Sequence, residues 1–212
     1  PLLRLRRNSP PRVFAKRRKR LPLGPDEIVA LFTRDGNYLC ARWGRPVAPV
    51  IFGLSDETLD IFRRVTRAAL GHAGIPMAET DPEMGANMMT FFLRDWDELD
   101  AIPDLERLTG QAGLAARLRA GKADQYRIFR FDPDGGIRAC ITLVNMGGGL
   151  ADTHPAQLAE ALAMRALLTF AFEVTPSPAL ARLIRAAYDP VMPAAARDPS
   201  HALRLAARLH AT

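Results

Sequence analysis

Apolar and polar residues alternate most clearly in two neighbouring stretches, Gln125–Phe131 and residues 137–144. The residues between them are Asp-Pro-Asp-Gly-Gly, a composition typical of a tight turn. Because side chains in a strand point alternately to opposite faces, alternation on both sides of a turn indicates a β-hairpin. The pattern therefore predicts two antiparallel strands in this part of the chain.

Apolar spacings of three and four predict helices elsewhere. The clearest helix runs from a cap at Ser55 or Asp56 to about His72, and Gly74 ends it. Other helices are predicted over residues 26–32, 95–99, 105–120, 155–172, 179–188 and 200–210. Apolar runs predict strands over residues 38–43, 45–52 and 87–93, and the prolines in residues 45–52 favour an edge position.

The order of these elements indicates the fold class. Helices and strands alternate early in the chain, and the hairpin then precedes a helical C-terminal half. We therefore expect an α+β fold, with a mostly antiparallel sheet and helices packed on one face. The expected organisation is a basic, proline-containing tail over residues 1–25 and a single α+β domain over residues 26–212.

Charge is distributed unevenly along the 212 residues. The formal net charge is +6, and residues 1–20 hold nine basic residues and no acidic one. Removing these nine from the 29 basic residues leaves 20 against 23 acidic residues, so the remainder carries about −3. This balance excludes a basic nucleic-acid-binding domain and makes the tail the candidate site for anionic partners. The basic residues of the tail are Arg4, Arg6, Arg7, Arg12, Lys16, Arg17, Arg18, Lys19 and Arg20.

The sequence gives limited information on localisation. No apolar run approaches the ~20 residues that are needed to span a bilayer. The basic start is not followed by the apolar segment of a signal peptide. The chain begins at Pro1 without a Met, so a cleaved signal upstream of Pro1 stays open. A cytoplasmic or membrane-peripheral location is favoured.

Three glycines at residues 147–149 precede the helix that is predicted from residue 155. A phosphate-binding loop places its glycines directly before a helix, usually with a following Lys and a Ser or Thr. Here several residues separate the glycines from the helix, no Lys follows them, and Asp152 would repel a phosphate. We therefore expect a flexible loop or lid.

Candidate metal ligands and catalytic groups are few. No two histidines lie four residues apart, and no His-Glu-x-x-His motif or Cys/His cluster has zinc spacing. We therefore expect neither a metal nor a cofactor. Cys40 and Cys140 lie in apolar, strand-like surroundings that predict buried free thiols, and a disulfide between them stays an open alternative. The acidic residues between positions 81 and 100 are interpreted as surface groups and helix caps.

Four short motifs, in order along the chain, carry a resemblance to a known family. They are Ala-Arg-Trp-Gly-Arg-Pro-Val at residues 41–47, Ala-Asn-Met-Met-Thr-Phe-Phe-Leu at 86–93, Leu-Ala-Glu-Ala-Leu-Ala at 158–163 and Ala-Ala-Tyr-Asp-Pro at 186–190. Through these motifs the chain resembles a bacterial domain family of unknown function, number 2927. That family is similar to zincin metallopeptidases, so the resemblance implies a zincin-like scaffold.

The resemblance also assigns positions within the predicted helix over residues 155–172. It places Glu160 at the general-base position of the metallopeptidase motif, and Ala159 and Ala163 at the two positions of the metal ligands. An alanine methyl group cannot coordinate zinc. The resemblance therefore implies a zincin-like scaffold without the zinc.

Three functions follow as hypotheses. The first is a non-catalytic domain that binds an unidentified protein partner along an edge strand, while the tail anchors it to an anionic membrane surface or to nucleic acid. The second is a metal-independent hydrolase that uses Glu160 with a nearby carboxylate or with His154. The third is a nucleic-acid-associated factor that acts through the basic tail.

Overall fold

The computed structural model describes residues 23–102 and 105–211, apart from the side chains at positions 108, 210 and 211. Residues 1–22 of the predicted tail therefore lie outside the described residues. The helices are α1 (Pro25–Phe32), α2 (Asp56–Ala73), α3 (Leu105–Thr109), α4 (Leu114–Ala120), α5 (Pro155–Leu167), α6 (Pro178–Ala187) and α7 (His201–Ala211). Two short 3₁₀ helices cover Trp96–Ala101 and Gly149–Asp152. The strands are β1 (Thr33–Arg34), β2 (Asn37–Tyr38), β3 (Cys40–Ala41), β4 (Pro49–Phe52), β5 (Met88–Leu93), β6 (Gln125–Phe131), β7 (Ile137–Asn145) and β8 (Ala195–Ala196).

The α+β class is confirmed, and the main sheet has four strands in the order β4-β5-β7-β6. The predicted hairpin forms the antiparallel pair β6–β7. Both ladders of β5 are parallel, so the central sheet is mixed rather than mostly antiparallel as we expected. Among the described residues, further antiparallel pairing is limited to the small pairs β1–β2 and β3–β8 and to isolated bridges. The parallel pairing arises because α2 carries the chain from β4 back to the start of β5, as a crossover between neighbouring parallel strands requires.

Helices cover both faces of this sheet. The long helices α2 and α5 pack on one face, where Phe62 and Leu162 meet Phe92 and Val144. The helices of the other face are shorter, namely the 3₁₀ helix Trp96–Ala101 and α4. We expected helices on one face of the sheet only, and this expectation holds for the long helices but not for the short ones. The reason is that β5 and β7 carry apolar side chains on both faces.

Helix α5 ends at Leu167, five residues before its predicted end. The chain then becomes extended, because residues 168 and 169 pair with the segment around β3. Leu168 forms a bridge with Arg42, and the Thr169 hydroxyl accepts from Ala41 N and donates to Leu39 O, both at 2.8 Å. These tertiary hydrogen bonds outweigh the helical periodicity of the sequence. Residues 169–173 of the segment that follows form one wall of a cavity beside β6.

A second large cluster of buried side chains lies at the end of the sheet. Helices α1, α6 and α7 pack there around Phe32, Tyr38, Leu183 and Ile184.

Both cysteines are buried and free, and burial raises the pKa of Cys40 to about 12 and that of Cys140 to about 11. Within the described residues, no helix is both long enough and apolar enough to cross a membrane.

Candidate functional site

Glu160 lies on an exposed face of α5. It borders a groove between α2, α5 and α6, together with His72, Gln157 and Arg165. Ala159 and Ala163, its neighbours in the motif, are buried and lie next to residues of β4 and β5. The two positions that the resemblance assigns to metal ligands therefore face the sheet, whereas Glu160 is on the accessible side of the helix.

His154 has a structural position at the start of α5. It is the N-cap residue, and its Nδ1 accepts a hydrogen bond from Ala156 N at 3.2 Å. Six residues separate it from Glu160, which corresponds to about 9 Å along a helix axis. The structure therefore does not bring His154 and Glu160 together. The histidine that shares the groove with Glu160 is His72, whose Nε2 lies 2.8 Å from Ala181 O.

The nine basic residues proposed for anion binding all fall outside the described residues. They are Arg4, Arg6, Arg7, Arg12, Lys16, Arg17, Arg18, Lys19 and Arg20. Their role as an anchor stays a prediction.

Two of the three glycines at residues 147–149 lie against neighbouring segments, whereas a Cβ atom at Gly149 would meet nothing within 4 Å. A Cβ atom at Gly147 would lie 2.5 Å from the main-chain oxygen of Arg94, and one at Gly148 would clash with the Asp124 carboxylate. Gly147 N also donates to Asn145 Oδ1 at 2.8 Å. Gly147 and Gly148 therefore allow close approach of neighbouring segments, and the flexible loop or lid that we expected stays a prediction.

Several acidic residues between positions 81 and 100 are caps or surface groups, as we expected, but Asp81 is not, because its side chain is buried. Asp95 caps the 3₁₀ helix Trp96–Ala101 by accepting from Asp97 N. Asp97 and Asp100 both pair with Arg119. Asp81, whose side chain is 3% exposed, accepts from the buried amide of Asn87 at 3.0 Å.

Strand β6 forms one edge of the main sheet, because β7 is its only neighbour among the described strands. Asn145 N donates to Asp124 O at 2.8 Å, which makes these two residues a hydrogen-bonded pair. Hydrogen-bonded and non-hydrogen-bonded pairs alternate along an antiparallel ladder. The N–H and C=O groups of Gln125, Arg127 and Phe129 therefore point away from β7, towards the open edge of the sheet.

A cavity of about 660 Å³ lies beside this edge, and we call it the arginine cavity. Its three arginines come from separate elements: Arg34 from β1, Arg127 from β6 and Arg165 from α5. Aromatic side chains make up much of the remaining wall. The other lining residues are Phe32, Leu39, Gln125, Tyr126, Phe129, Thr169, Phe170, Ala171, Phe172 and Glu173.

Two of these arginines hold the extended segment that follows α5. Arg34 donates from Nε and Nη2 to Ala171 O, with 3.0 Å between Nε and the oxygen. Arg165 donates from Nε to Val174 O at 3.1 Å and from Nη2 to Glu173 Oε2 at 3.3 Å. Their partners are thus neutral carbonyls and a single carboxylate, so three guanidinium groups face one acidic side chain in the cavity.

Arg127 differs from the other two because it makes no side-chain hydrogen bond within the described residues. Its Nε is buried without a partner, and its guanidinium lies 5.5 Å from the centre of the Phe129 ring. A cation–π contact leaves the N–H donors of the guanidinium unused. Burial lowers the pKa of Arg127, and the positive charges of Arg165 and Arg34 lower it further. Arg127 is therefore a partly desolvated cation with donors available for an anion.

The sequence predicted β6 but not the cavity beside it. Alternation along β6 places Gln125, Arg127 and Phe129 on one face of the sheet. An arginine between two residues of a covered face is the sequence signal that could have indicated a polar site there. Nothing in the sequence links this residue to Arg34 and Arg165. They meet because β1, β6 and α5 pack together in the folded chain.

Within the described residues, no group of three or more His, Cys, Asp or Glu side chains is arranged to hold a metal ion. Comparisons with known proteins add no assignment: no protein-family model, no curated protein and no solved structure matches the chain. Any function must therefore be argued from the residues and their geometry.

Proposed function

We propose that this domain is a non-catalytic protein-binding module that takes an extended segment of its partner along the edge of β6. The observation that carries the proposal is the row of outward main-chain groups at Gln125, Arg127 and Phe129 beside the arginine cavity. An added strand would form hydrogen bonds with these groups. Alternate side chains of the same strand would enter the cavity, as in other cases of β-strand addition.

Exposed aromatic side chains near the cavity support the same proposal. Phe172, on the extended segment after α5, is 61% exposed and lines the cavity. Phe131, at the end of β6, is 37% exposed. Large apolar side chains that border a groove are typical of surfaces that bind other proteins. They would cover the apolar residues of a bound segment.

The proposal does not rest on the resemblance to zincin-like proteins. That resemblance assigns the general-base position to Glu160, which borders the groove between α2, α5 and α6 and does not line the arginine cavity. Strand addition at β6 needs neither Glu160 nor a metal.

The basic tail is proposed to act as an anchor to an anionic membrane surface. Each Lys or Arg close to such a surface contributes ~1 kcal/mol. Sedimentation with vesicles of phosphatidylcholine containing phosphatidylserine tests this, with full-length protein and a variant that lacks residues 1–20. We expect binding that requires the tail and weakens with salt. Tail-dependent binding to duplex DNA, but not to vesicles, would favour the nucleic-acid-associated alternative.

The edge-strand proposal is tested by selecting peptides on the full-length chain. A random library of acetylated, amidated peptides of about nine residues is long enough to span β6. Binding of selected peptides is then measured for Gln125→Pro and for its matched control Gln125→Ala. Both changes remove the side-chain amide of Gln125, but only proline removes the outward main-chain N–H, and proline is tolerated where an edge N–H faces solvent.

We expect Gln125→Pro to bind selected peptides about 3- to 10-fold more weakly than Gln125→Ala, the size of one hydrogen bond. Bound peptide should also slow hydrogen exchange at the amides of Arg127 and Phe129. The proposal fails if no peptide is selected. It also fails if selected peptides leave these amides unprotected and bind the two variants equally.

A further inference from the structure

The arginine cavity holds more positive charge than its own residues neutralise. Arg34, Arg127 and Arg165 face Glu173 alone among the lining residues, and Glu173 is already bonded to Arg165. The Glu173 side chain is 65% exposed, so it lies at the solvent end of that pair. The N–H donors of Arg127 have no hydrogen-bond acceptor within the described part of the chain. An anionic group would complete the cavity.

The surroundings of Arg127 favour an anion that arrives with apolar neighbours. Phe129 lies two positions along the same face of β6, and Phe32 and Phe170 stack with ring centres 5.2 Å apart in the wall. A fully hydrated small ion would gain little from these rings. A peptide that places an acidic residue opposite Arg127, with apolar residues two positions away, matches both features because same-face side chains in a strand recur every second residue.

The basic tail is a poor candidate to fill this cavity. Residues 1–20 contain nine basic residues and no acidic one, so the tail would add positive charge to a site that already has an excess. A carboxylate at the end of a chain is also less suitable than one within it. The outward groups of β6 extend on both sides of Arg127, at Gln125 and Phe129, so a bound strand would continue past the arginine.

We infer that the arginine cavity binds an Asp or Glu side chain within an extended segment of a partner protein, and that Arg127 is the residue that selects it. This inference rests on the proposed function and specifies the partner for the same site. The recognised segment has an acidic residue at its centre and an apolar residue two positions away, on the side that faces Phe129. Arg34 and Arg165 add positive charge and hold the wall at residues 171–174.

The test uses two synthetic peptide libraries on the full-length chain. Both contain acetylated, amidated peptides of about nine residues, and they differ only at the central position, which is Glu in one library and Gln in the other. No other position contains an acidic residue. The dissociation constants of the best binders and of their Glu/Gln counterparts are measured by fluorescence polarisation. The titrations are repeated in ~0.5 M salt, which screens the exposed tail more than a partly buried pair.

Two variants identify the residue responsible. Arg127→Gln removes the charge in the cavity and keeps a polar side chain. Arg64→Gln is the matched control, because it makes the same change in net charge at an exposed position of α2 that does not line the cavity. We expect wild type and Arg64→Gln to prefer Glu over Gln peptides by about 10- to 100-fold. Arg127→Gln should lose this preference.

The outcomes separate this inference from the proposed function. Equal binding of Glu and Gln peptides, with protection of the β6 amides, overturns the inference and leaves edge-strand binding intact. A preference that survives Arg127→Gln, or that disappears in high salt, assigns the anion to another site such as the tail and overturns it. Binding that requires a free terminal carboxylate overturns it in favour of a chain end. Absence of binding from both libraries overturns the proposed function together with the inference.

Discussion

Arg45 and Arg127 are both partly buried, and they differ in what surrounds them. Arg45 is enclosed by carboxylates: Asp132 Oδ1 lies 2.7 Å from its Nη2, and Glu83 and Asp81 lie 3.4 Å and 3.8 Å from its Nη1. We call these four residues the Arg45 cluster. Arg127 has a neighbouring aromatic ring and two further arginines. One arginine is neutralised by its own chain, and the other is not.

The pKa values of Arg45 and Arg127 are shifted in opposite directions because of these different surroundings. Burial opposes the charge of Arg45, but Asp132 and Glu83 outweigh it, so the pKa of Arg45 is raised. Burial lowers the pKa of Arg127, with no neighbouring carboxylate strong enough to reverse the change. A charge that its own chain stabilises contributes to folding. A charge that is left in excess at a cavity contributes to binding at some expense of stability.

The largest effect is expected in the Arg45 cluster. Arg45→Met should lower the free energy of unfolding by about 1 to 2 kcal/mol, because it leaves the buried Asp81 carboxylate without its cation. Urea denaturation followed by circular dichroism measures the change. Peptide affinity should stay the same, because Arg45 does not line the arginine cavity. An unfolding midpoint equal to that of wild type would show that the cluster contributes nothing to stability.

The corresponding substitution of Arg127 in the arginine cavity should change the free energy of unfolding in the opposite direction. Arg127→Met removes a desolvated charge and keeps a long apolar side chain beside Phe129, so the free energy of unfolding should stay equal or rise by up to about 1 kcal/mol. The preference for Glu-containing over Gln-containing peptides should be lost at the same time. A destabilisation as large as that of Arg45→Met would instead give Arg127 a structural role. The same urea titration compares the two variants directly.

His201 extends the comparison to a buried group that can gain or lose its charge, and we expect a smaller change in the free energy of unfolding there. Its Nδ1 lies 3.0 Å from the Tyr38 hydroxyl, and its Nε2 is buried without a partner in the described residues. Burial lowers the pKa of His201 below its ordinary value of 6.5, and Arg204 lowers it further. Below pH ~6.5 the unfolded chain therefore binds more protons than the folded one, and stability should fall as the pH decreases.

Urea midpoints at pH 7.5, 6 and 5 test this effect, with His201→Gln as the variant that cannot titrate. Wild type should lose more stability than His201→Gln over this range, and the two should change little above pH ~7. Parallel curves for the two proteins would mean that the folded state accommodates the charged imidazole.

The smallest effect is expected at Glu160. Glu160→Gln should leave the affinity for selected peptides unchanged within about twofold, because Glu160 borders a different groove from Arg127. Peptide affinity is measured together with cleavage of a fluorogenic peptide. A variant that binds normally but loses a hydrolytic activity of the wild type would instead support the metal-independent hydrolase.

Much of the fold could be predicted because its signals are local. The turn at residues 132–136 and the alternation around it define the hairpin, and helical periodicity together with Gly74 defines α2. The pairing of β4 with β5 is not local, since it depends on α2 crossing the sheet. The end of α5 was predicted too late, because hydrogen bonds of Thr169 to Leu39 and Ala41 replace the helix.

The candidate site was harder to predict for the same reason. Glu160 and His154 were selected from a motif and from residue type, and the structure places them at different parts of α5. Arg34, Arg127 and Arg165 are unremarkable in the sequence, because arginines are common and these three are far apart. Their convergence depends on tertiary packing, which periodicity and spacing do not report.

The contact between Arg34 and Ala171 has a consequence for how the protein is made. Ala171 follows the end of β6 at Phe131 by 40 residues, so β6 and its outward amides are synthesised before the wall that completes the cavity. A nascent chain that has released β6 and β7 but not residues 169–173 presents an open strand edge without the Phe170 side of the site. The site therefore becomes competent only after this wall has left the ribosome and packed. A partner that recognises the complete cavity would distinguish chains that have formed this wall from chains that have not.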